Sequence, residues 1–456
     1  MGCASRTLDR MPVFGTAGVR GVFNSTQTLE QVHQVAEASA FVFGKGRYGV
    51  GWDGRKSSAV LARVVASSVA ECGSDAIEFG LVPTPLVAFG AREHNCHLGF
   101  AVTASHNPPE FSGVKVFNKK GMELSKEEEG RIERGMVVES SKSSAKAGSI
   151  ESRDVIRSYM KAVSSRFSKT ESPLRLVVDC ATGPASLVTP QVLTALGNKV
   201  IPLNAHVSWR FSARHPEPTA ATLGETASFV GGAEVDLGLA HDGDGDRLVL
   251  INSSGRVLPD YMTSVLALEA IEKSSGSVII SENSSFAVEE TALKMGLRVI
   301  RGKIGKTFAE VEREGALLAT EPTKVVDPSW GMWEDGIYCA ALIADVIARR
   351  PDLRKMIDGE LEWLYKQVNL AVSVDLGRLG DQVDEYFSKY RIVEKRSVDG
   401  LRIVFKDKSW VMFRPSGTEP KTRIYCEARD ELRLAELVET ARGLVERLAR
   451  PAITMR

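Results

Sequence analysis

The segment Val102-Thr103-Ala104-Ser105-His106-Asn107-Pro108-Pro109 holds the residues best suited to chemistry. An apolar run, Leu98 to Val102, reads as a buried strand, and the prolines stop the turn that follows it. A serine at such a junction presents its hydroxyl, as a nucleophile or a phosphate carrier must. An isolated loop serine more often bonds its own backbone. Two further clusters in the chain weigh against that reading.

The first is Asp242-Gly243-Asp244-Gly245-Asp246-Arg247. Carboxylates at alternate positions, separated by glycines, can close around one hard cation with little backbone hindrance. The same opening begins a calcium-binding EF-hand loop, but that loop needs a glutamate at its twelfth position, where Ser253 stands. A divalent ion on a few carboxylates, with room left for a phosphate oxygen, points to Mg2+. An acidic solvated turn is the alternative, and it leaves three aspartates repelling one another.

The second is Arg414-Pro415-Ser416-Gly417-Thr418-Glu419-Pro420, followed by Lys421 and Arg423. One guanidinium fork, two hydroxyls and amides freed by a glycine suit a phosphate dianion. Taken alone, the same residues also read as an ordinary turn. Arg20 lies in a glycine-rich loop, Phe14 to Gly21, where it could reach a phosphate. Asp53 and Arg55 read as a structural pair.

These residues need elements to carry them. Strands are expected at Tyr48–Trp52, Ala76–Gly80 and Leu98–Val102, with a helix over Ser58–Ala70 between the first two. Strands alternating with helices imply a sheet covered on both faces. The pattern restarts after a small, polar linker at 138–150. The strand Leu174 to Val178 ends in Asp179, a helix spans Leu187 to Leu196, and strands follow at Lys199–Pro202 and Val235–Ala240. It restarts again from Tyr261, through strands at 277–280 and 297–300. The last segment alternates like an antiparallel sheet, at Val368–Val374, Leu401–Phe405 and Trp410–Phe413, and closes with a helix over Leu432–Leu448. The parse is α/β: three α/β domains with mixed, mostly parallel sheets and a smaller α+β C-terminal domain. Expected boundaries are 1–150 with the serine loop, 151–255 with the aspartates, 256–366, and 367–456 with the phosphate-binding loop.

Composition narrows the partners. Lys plus Arg and Asp plus Glu both number 58, so no net charge favours nucleic acid or an anionic membrane. Six scattered cysteines without a Cys-x-x-Cys pair fit buried thiols in a reducing compartment. No run of about 18 apolar residues predicts a membrane span, and the first residues lack a signal-peptide pattern. Cytoplasm is the expected location.

Taken in order, these motifs resemble the α-D-phosphohexomutase family, which includes phosphoglucomutase, phosphomannomutase and phosphoglucosamine mutase. The resemblance runs through Phe14–Gly21, Gly51–Ser58, Thr103–Pro108, Asp242–Arg247 and Arg414–Pro420, essentially the whole chain. It implies four domains around one central cleft. It implies an isomerase that interconverts a hexose 1-phosphate and 6-phosphate through a phosphoserine at Ser105 and a sugar bisphosphate, with the sugar 1,6-bisphosphate as activator. Asp242, Asp244, Asp246 and the phosphate on Ser105 would hold Mg2+, and Arg247 would position the sugar or its phosphate. Arg20 and Lys115 match the family's active-site arginine and candidate general acid/base, and His106 adjoins the serine. Arg414, Ser416, Gly417, Thr418 and Arg423 would grip the phosphate that is not reacting.

The chain departs from the family pattern at three places. The sugar loop reads Thr320-Glu321-Pro322-Thr323-Lys324, where Gly-Glu-x-Ser-Gly is usual; Glu321 and Thr323 keep groups able to bond sugar hydroxyls. Trp330 and Trp333 follow in the same loop as bulky groups that could narrow the choice of sugar. Lys306 stands where some bacterial members carry histidine and is expected among the catalytic groups. Ser112 replaces an asparagine, with no consequence assigned. Sugar phosphates are the expected partners of a monomer or homodimer. The alternatives are a non-catalytic sugar-phosphate-binding regulator, a phosphatase on the same metal site, or a phosphopentomutase.

Overall fold

The computed structural model describes residues 13–15, 18–137, 146–416 and 421–449. Four sheets organise them. The first has six strands in the order Val19–Val22, Phe111–Asn118, Leu98–Val102, Arg47–Trp52, Asp75–Leu81 and Ile150–Ser152. Its middle is parallel, whereas Phe111–Asn118 runs antiparallel to both of its neighbours. Alternation sorts the side chains of Leu98–Val102. Leu98, Phe100 and Val102 pack with the helices Leu29–Phe43 and Ser58–Glu71, and Ala101 packs with Thr84–Glu93 on the other face. The strand is therefore buried throughout, and its end is a fixed point for the loop that follows.

The sequence places a linker at 138–150. Residues 138–145 lie outside the described ones, and Ile150–Ser152 forms an edge strand paired in parallel with Asp75–Leu81. The first sheet thus takes in residues up to 152. The second sheet orders Leu248–Asn252, Leu237–His241, Arg175–Asp179 and Lys199–Leu203. The third orders Arg298–Gly302, Ser277–Ser281, Leu318–Glu321 and Lys324–Val326. Each is parallel apart from one antiparallel end strand.

The carboxy-terminal unit is a five-stranded antiparallel sheet with the helices Leu376–Tyr386 and Glu431–Ala449 on one core. Its first strand is Leu364–Leu370, earlier than the expected 368–374. The apolar alternation outruns the strand because Val372 and Val374 cover the same core from the segment entering the next helix. That helix starts at Asp375, whose side chain accepts from Arg378 N.

Trp330 and Trp333 are drawn into the interior. They are 5% and 2% exposed, and both indole N–H groups donate to Asp335. Asp335 caps the helix Gly336–Arg349 and also accepts from Tyr159 OH at 2.7 Å. Phe89 stacks on Trp330 at 5.8 Å between centroids, so the aromatic cluster joins the first three units. Large rings with one polar group each are stable where a buried carboxylate can accept those groups.

Candidate active site

Thr103 begins the serine loop by accepting from the Ser105 amide at 2.8 Å while donating to Asp53 Oδ2 at 2.7 Å. Ser105 adopts φ 49°, in the left-handed region that a side chain with Cβ rarely visits. Arg55 holds it there. Its guanidinium donates to the carbonyls of Ser105 (2.7 Å) and Asn107 (2.6 Å), and also to those of Pro108 and Phe111. Asp53 pairs with Arg55 at 3.0 Å and accepts from Ser58 Oγ at 2.6 Å. The pair expected to be structural is structural, and what it builds is the loop of Ser105.

The second unit brings the aspartates against this loop. A Cβ on Gly243 would lie 2.5 Å from the Ser105 carbonyl oxygen, and Gly245 has φ 78°, so glycine is required at both positions. Ser105 Oγ donates to Asp242 Oδ2 at 2.8 Å and lies 3.4 Å from His106 Nδ1. The three carboxylates place ligand atoms within 4.8 Å of one another, and all three are buried. Asp244 Oδ1 and Asp246 Oδ1 have no hydrogen-bond partner among the described residues. Buried, unpartnered carboxylate oxygens beside a third carboxylate are the donor set of a hard divalent cation.

Cations surround the cluster. Lys115 sits opposite Ala101 in the sheet and is 1% exposed. Its ammonium lies 3.0 Å from Asp244 and closer still to Asp246. Burial disfavours its charge, but the two carboxylates raise its pKa above the ordinary lysine value. Burial likewise opposes ionisation of Asp246, yet Lys115, Lys324 and Arg247 hold it well below the usual range. Asp242 moves the other way, pushed well up by burial and by Asp244 and Asp246. Burial, with Arg247, Arg20 and Lys324 adding repulsion, drives His106 well below its ordinary value, so its imidazole is neutral at pH 7. Arg20 donates to Asn107 Oδ1 at 3.2 Å, and its buried Nε has no partner among the described residues. Arg247 Nε lies 3.9 Å from Asp242 and 4.0 Å from Asp246.

The third unit contributes Glu321, 6% exposed, whose Oε1 accepts from Gly305 N at 2.7 Å and Thr307 Oγ1 at 3.0 Å. Burial, reinforced by Glu334, raises its pKa to about 7. Thr323 has φ 68°, strained for a β-branched residue, and is pinned through Asp260 O and Leu248 N. Lys324, read from sequence only as the loss of a glycine, reaches Glu334 and comes within 3.6 Å of Asp246. Lys306 is drawn elsewhere, to Leu124 O at 3.4 Å and to the buried Glu129 at 3.9 Å in the first unit. No contact joins it to Ser105 or the aspartates among the described residues.

In the carboxy-terminal sheet Arg414 pairs directly opposite Arg423, and Asp399 lies 3.0 Å from Arg414 Nε. Ser416 N donates to Lys421 O. Gly417 and Thr418 lie outside the described residues. Sequence reasoning missed Asp399, whose Asp-Gly dipeptide between two strands signals only a hairpin turn. It also missed Thr84, which donates to Asp244 Oδ2 at 2.6 Å across 160 residues and carries no local signal.

Three α/β sheets, an antiparallel fourth, and a serine facing clustered carboxylates are the parts of a phosphotransferase. Comparison with known proteins agrees. Models of the phosphoglucomutase/phosphomannomutase family match residues 11–142 (alpha/beta/alpha domain I), 157–255 (alpha/beta/alpha domain II) and 369–444 (C-terminal domain). The "Probable phosphoglucosamine mutase" of Pyrococcus furiosus is 32% identical over 443 residues, covering 95% of this chain and 97% of its own. The "Phosphopentomutase" of Thermococcus kodakarensis is 33% identical over 454 residues, covering 97% and 99%. The crystal structure of a phosphoglucomutase/phosphomannomutase family protein from Burkholderia thailandensis shares the fold, with TM-score 0.84, 24% identity, and coverage of 97% and 98%. The chain belongs to the phosphoglucomutase/phosphomannomutase family, the α-D-phosphohexomutases. It is a phosphosugar mutase, an isomerase acting by intramolecular phosphotransfer.

Proposed function

We propose that the enzyme interconverts the 1-phosphate and 6-phosphate of a hexose, with Ser105 carrying the transferred phosphoryl group. The observation that carries this reading is the Ser105 hydroxyl, 2.8 Å from Asp242 in a loop strained by design of its contacts with Arg55. Phosphorylated Ser105 gives its phosphoryl to the free hydroxyl of a hexose monophosphate: the Ser–O–P bond breaks and a sugar–O–P bond forms. The sugar hydroxyl loses its proton and the serine oxygen gains one. The bisphosphate then turns and returns its other phosphoryl group to Ser105, so the sugar 1,6-bisphosphate is expected to act as activator.

The residues divide this work. His106 lies 3.4 Å from Ser105 Oγ, and its neutral imidazole can share a hydrogen bond with that oxygen without adding a charge. Lys115, kept charged by its aspartates, and Arg20 face the charge that develops on the transferring oxygens. Asp242, Asp244 and Asp246, with a phosphoryl oxygen on Ser105, would hold Mg2+, which when bound supplies positive charge to the phosphoryl oxygens. Arg247 orients the sugar, and Glu321 and Thr323 bond its hydroxyls. Arg414, Ser416, Gly417, Thr418 and Arg423 grip the distant phosphate, so that remote binding energy orients the reacting one. Lys306 serves the contact between the third and first units.

Among the described residues no helix is long and apolar enough to cross a membrane. Cys72, Cys96, Cys180, Cys339 and Cys426 are free thiols, which suits a reducing compartment and supports a cytoplasmic location. The likeness to a phosphopentomutase favours a second reading, in which the sugar is a pentose. A coupled assay with glucose, mannose, glucosamine and ribose 1-phosphates, each primed with its bisphosphate, tests both. Fastest turnover of a hexose is expected; turnover of ribose 1-phosphate alone selects the second reading.

A further inference from the structure

Arg414 and Arg423 face one another across the strands Trp410–Pro415 and Thr422–Ala428. Like charges directly opposite in an antiparallel pair repel unless an anion stands beside them. Asp399 supplies that charge through Oδ2, 3.0 Å from Arg414 Nε. The same oxygen accepts a hydrogen bond from the backbone N–H of Ile304, also at 3.0 Å. Ile304 lies in the third unit, in the loop between the strand Arg298–Gly302 and the helix Thr307–Glu314. The next amide, Gly305 N–H, donates to Glu321 Oε1 at 2.7 Å, and Thr307 Oγ1 reaches the same oxygen. Two carboxylates from two units thus hold consecutive amides of one loop.

We propose that Asp399 is a positioning residue that couples the phosphate clamp to the sugar-binding carboxylate. It aims Arg414, and through Ile304 and Gly305 it makes the placement of that guanidinium depend on the placement of Glu321. This rests on reading Arg414 as the phosphate clamp and Glu321 as the sugar-binding group. The physical argument is the shared oxygen. If the loop shifts, Asp399 must follow it or lose the Ile304 amide, and in following it carries Arg414 along. A ligand with both a phosphate and sugar hydroxyls satisfies both ends at once, whereas inorganic phosphate engages only the clamp. Capture of the phosphate and recognition of the sugar become one event.

The test is steady-state kinetics with glucose 1-phosphate, or with whichever other 1-phosphate the panel favours, on Asp399→Ala, Glu321→Ala, which leaves Gly305 N–H without its acceptor, and the double variant. Asp399→Ala should raise KM about tenfold, a typical coupling between sites, with kcat within about threefold. The double variant should be no worse than the larger single effect, because the two changes break one linkage. Asp399→Asn keeps an oxygen for Ile304 without the charge; it should raise KM less than the alanine variant, and it serves if that variant does not fold. In the wild type, saturating glucose 1-phosphate should slow hydrogen exchange at the amides of Ile304 and Gly305, and inorganic phosphate should slow it less. Fold-changes that multiply in the double variant overturn the coupling. So does an unchanged KM in Asp399→Ala while Arg414→Ala raises it. An unchanged KM in Arg414→Ala overturns the clamp reading and this proposal with it.

Discussion

The two ends of the site are built differently. At Ser105 the supporting pair is sealed: the Arg55 and Asp53 side chains are 0% and 1% exposed, and the guanidinium bonds Asp53 and the carbonyls of the loop while lying over the Phe211 ring. At the clamp, the side chains of Arg414 and Asp399 are 14% and 19% exposed, and a single oxygen joins them to the neighbouring unit. A sealed ion pair is costly to break because it leaves an uncompensated charge in low dielectric. A pair open to water is softened by screening. The difference teaches where each kind of energy is spent. The reacting end is closed around a strained backbone, and the end proposed to grip phosphate is more open to water, as a clamp that holds first one phosphate of a bisphosphate and then the other would need.

That contrast can be broken at several points. Ser105→Ala should lower turnover by about 10^4-fold or more, as expected for loss of a nucleophile, with a melting curve like that of the wild type. Asp244→Asn should cost roughly 10^2- to 10^4-fold in kcat, since a bound cation contributes several kcal/mol to charge stabilisation. Its fold should persist, because repulsion within the buried cluster falls. Removing divalent ions with EDTA should have the same sign, reversed by adding Mg2+; full activity in EDTA would remove the metal from the account.

Arg55→Ala should destabilise the fold by about 3–5 kcal/mol, read from denaturant unfolding, because Asp53 is left buried without its partner. On the more open side, Arg414→Ala should raise KM roughly 10- to 100-fold. That corresponds to the about 1.5–3 kcal/mol of a hydrogen bond to a charged group, and kcat should hold nearly constant. Equal losses of kcat in Arg414→Ala and Asp244→Asn would erase the distinction between the two ends.

The smallest effect concerns pH. Burial first, then Glu334, raises Glu321 from 4.5 to about 7, against the opposing pull of Lys324. The folded protein therefore holds this proton more tightly than the unfolded chain does. The contribution to stability is fully present below about pH 4.5 and is lost as pH rises through about 7. Glu321→Gln keeps an oxygen for Gly305 and Thr307 without the titration. It should gain on the wild type by about 1–2 kcal/mol between pH 5 and pH 6.5 in thermal or denaturant unfolding. A constant difference across that range would mean that Glu321 does not titrate there.

What could be read from sequence follows the same division. The Ser105 turn and the three aspartates are each contiguous, so their chemistry is local and visible, and the strands that deliver them announce themselves by apolar runs. Lys115 is found by resemblance, but its burial against Asp244 and Asp246 depends on pairing between Phe111–Asn118 and Leu98–Val102. Arg55 looked like half of a local pair, and its hold on Ser105 spans 50 residues. Asp399 and Ile304 are 95 residues apart, and a backbone amide leaves no mark in a sequence. Trp330 and Trp333 read from sequence as bulk in a functional loop, where an aromatic suggests a binding face. Here the rings instead fill a junction of three units, with Asp335 accepting their indole N–H groups.

Ser105 is proposed to carry the phosphoryl group through the reaction. The most direct test incubates the enzyme with glucose 1,6-bisphosphate, removes the excess, and maps phosphorylation by peptide mass spectrometry before and after a pulse of hexose monophosphate. One phosphoryl group on the peptide containing Ser105, lost to the sugar in the pulse, is the predicted result. A phosphoryl group on another residue, or turnover with no enzyme-bound phosphoryl group at any stage, would contradict it.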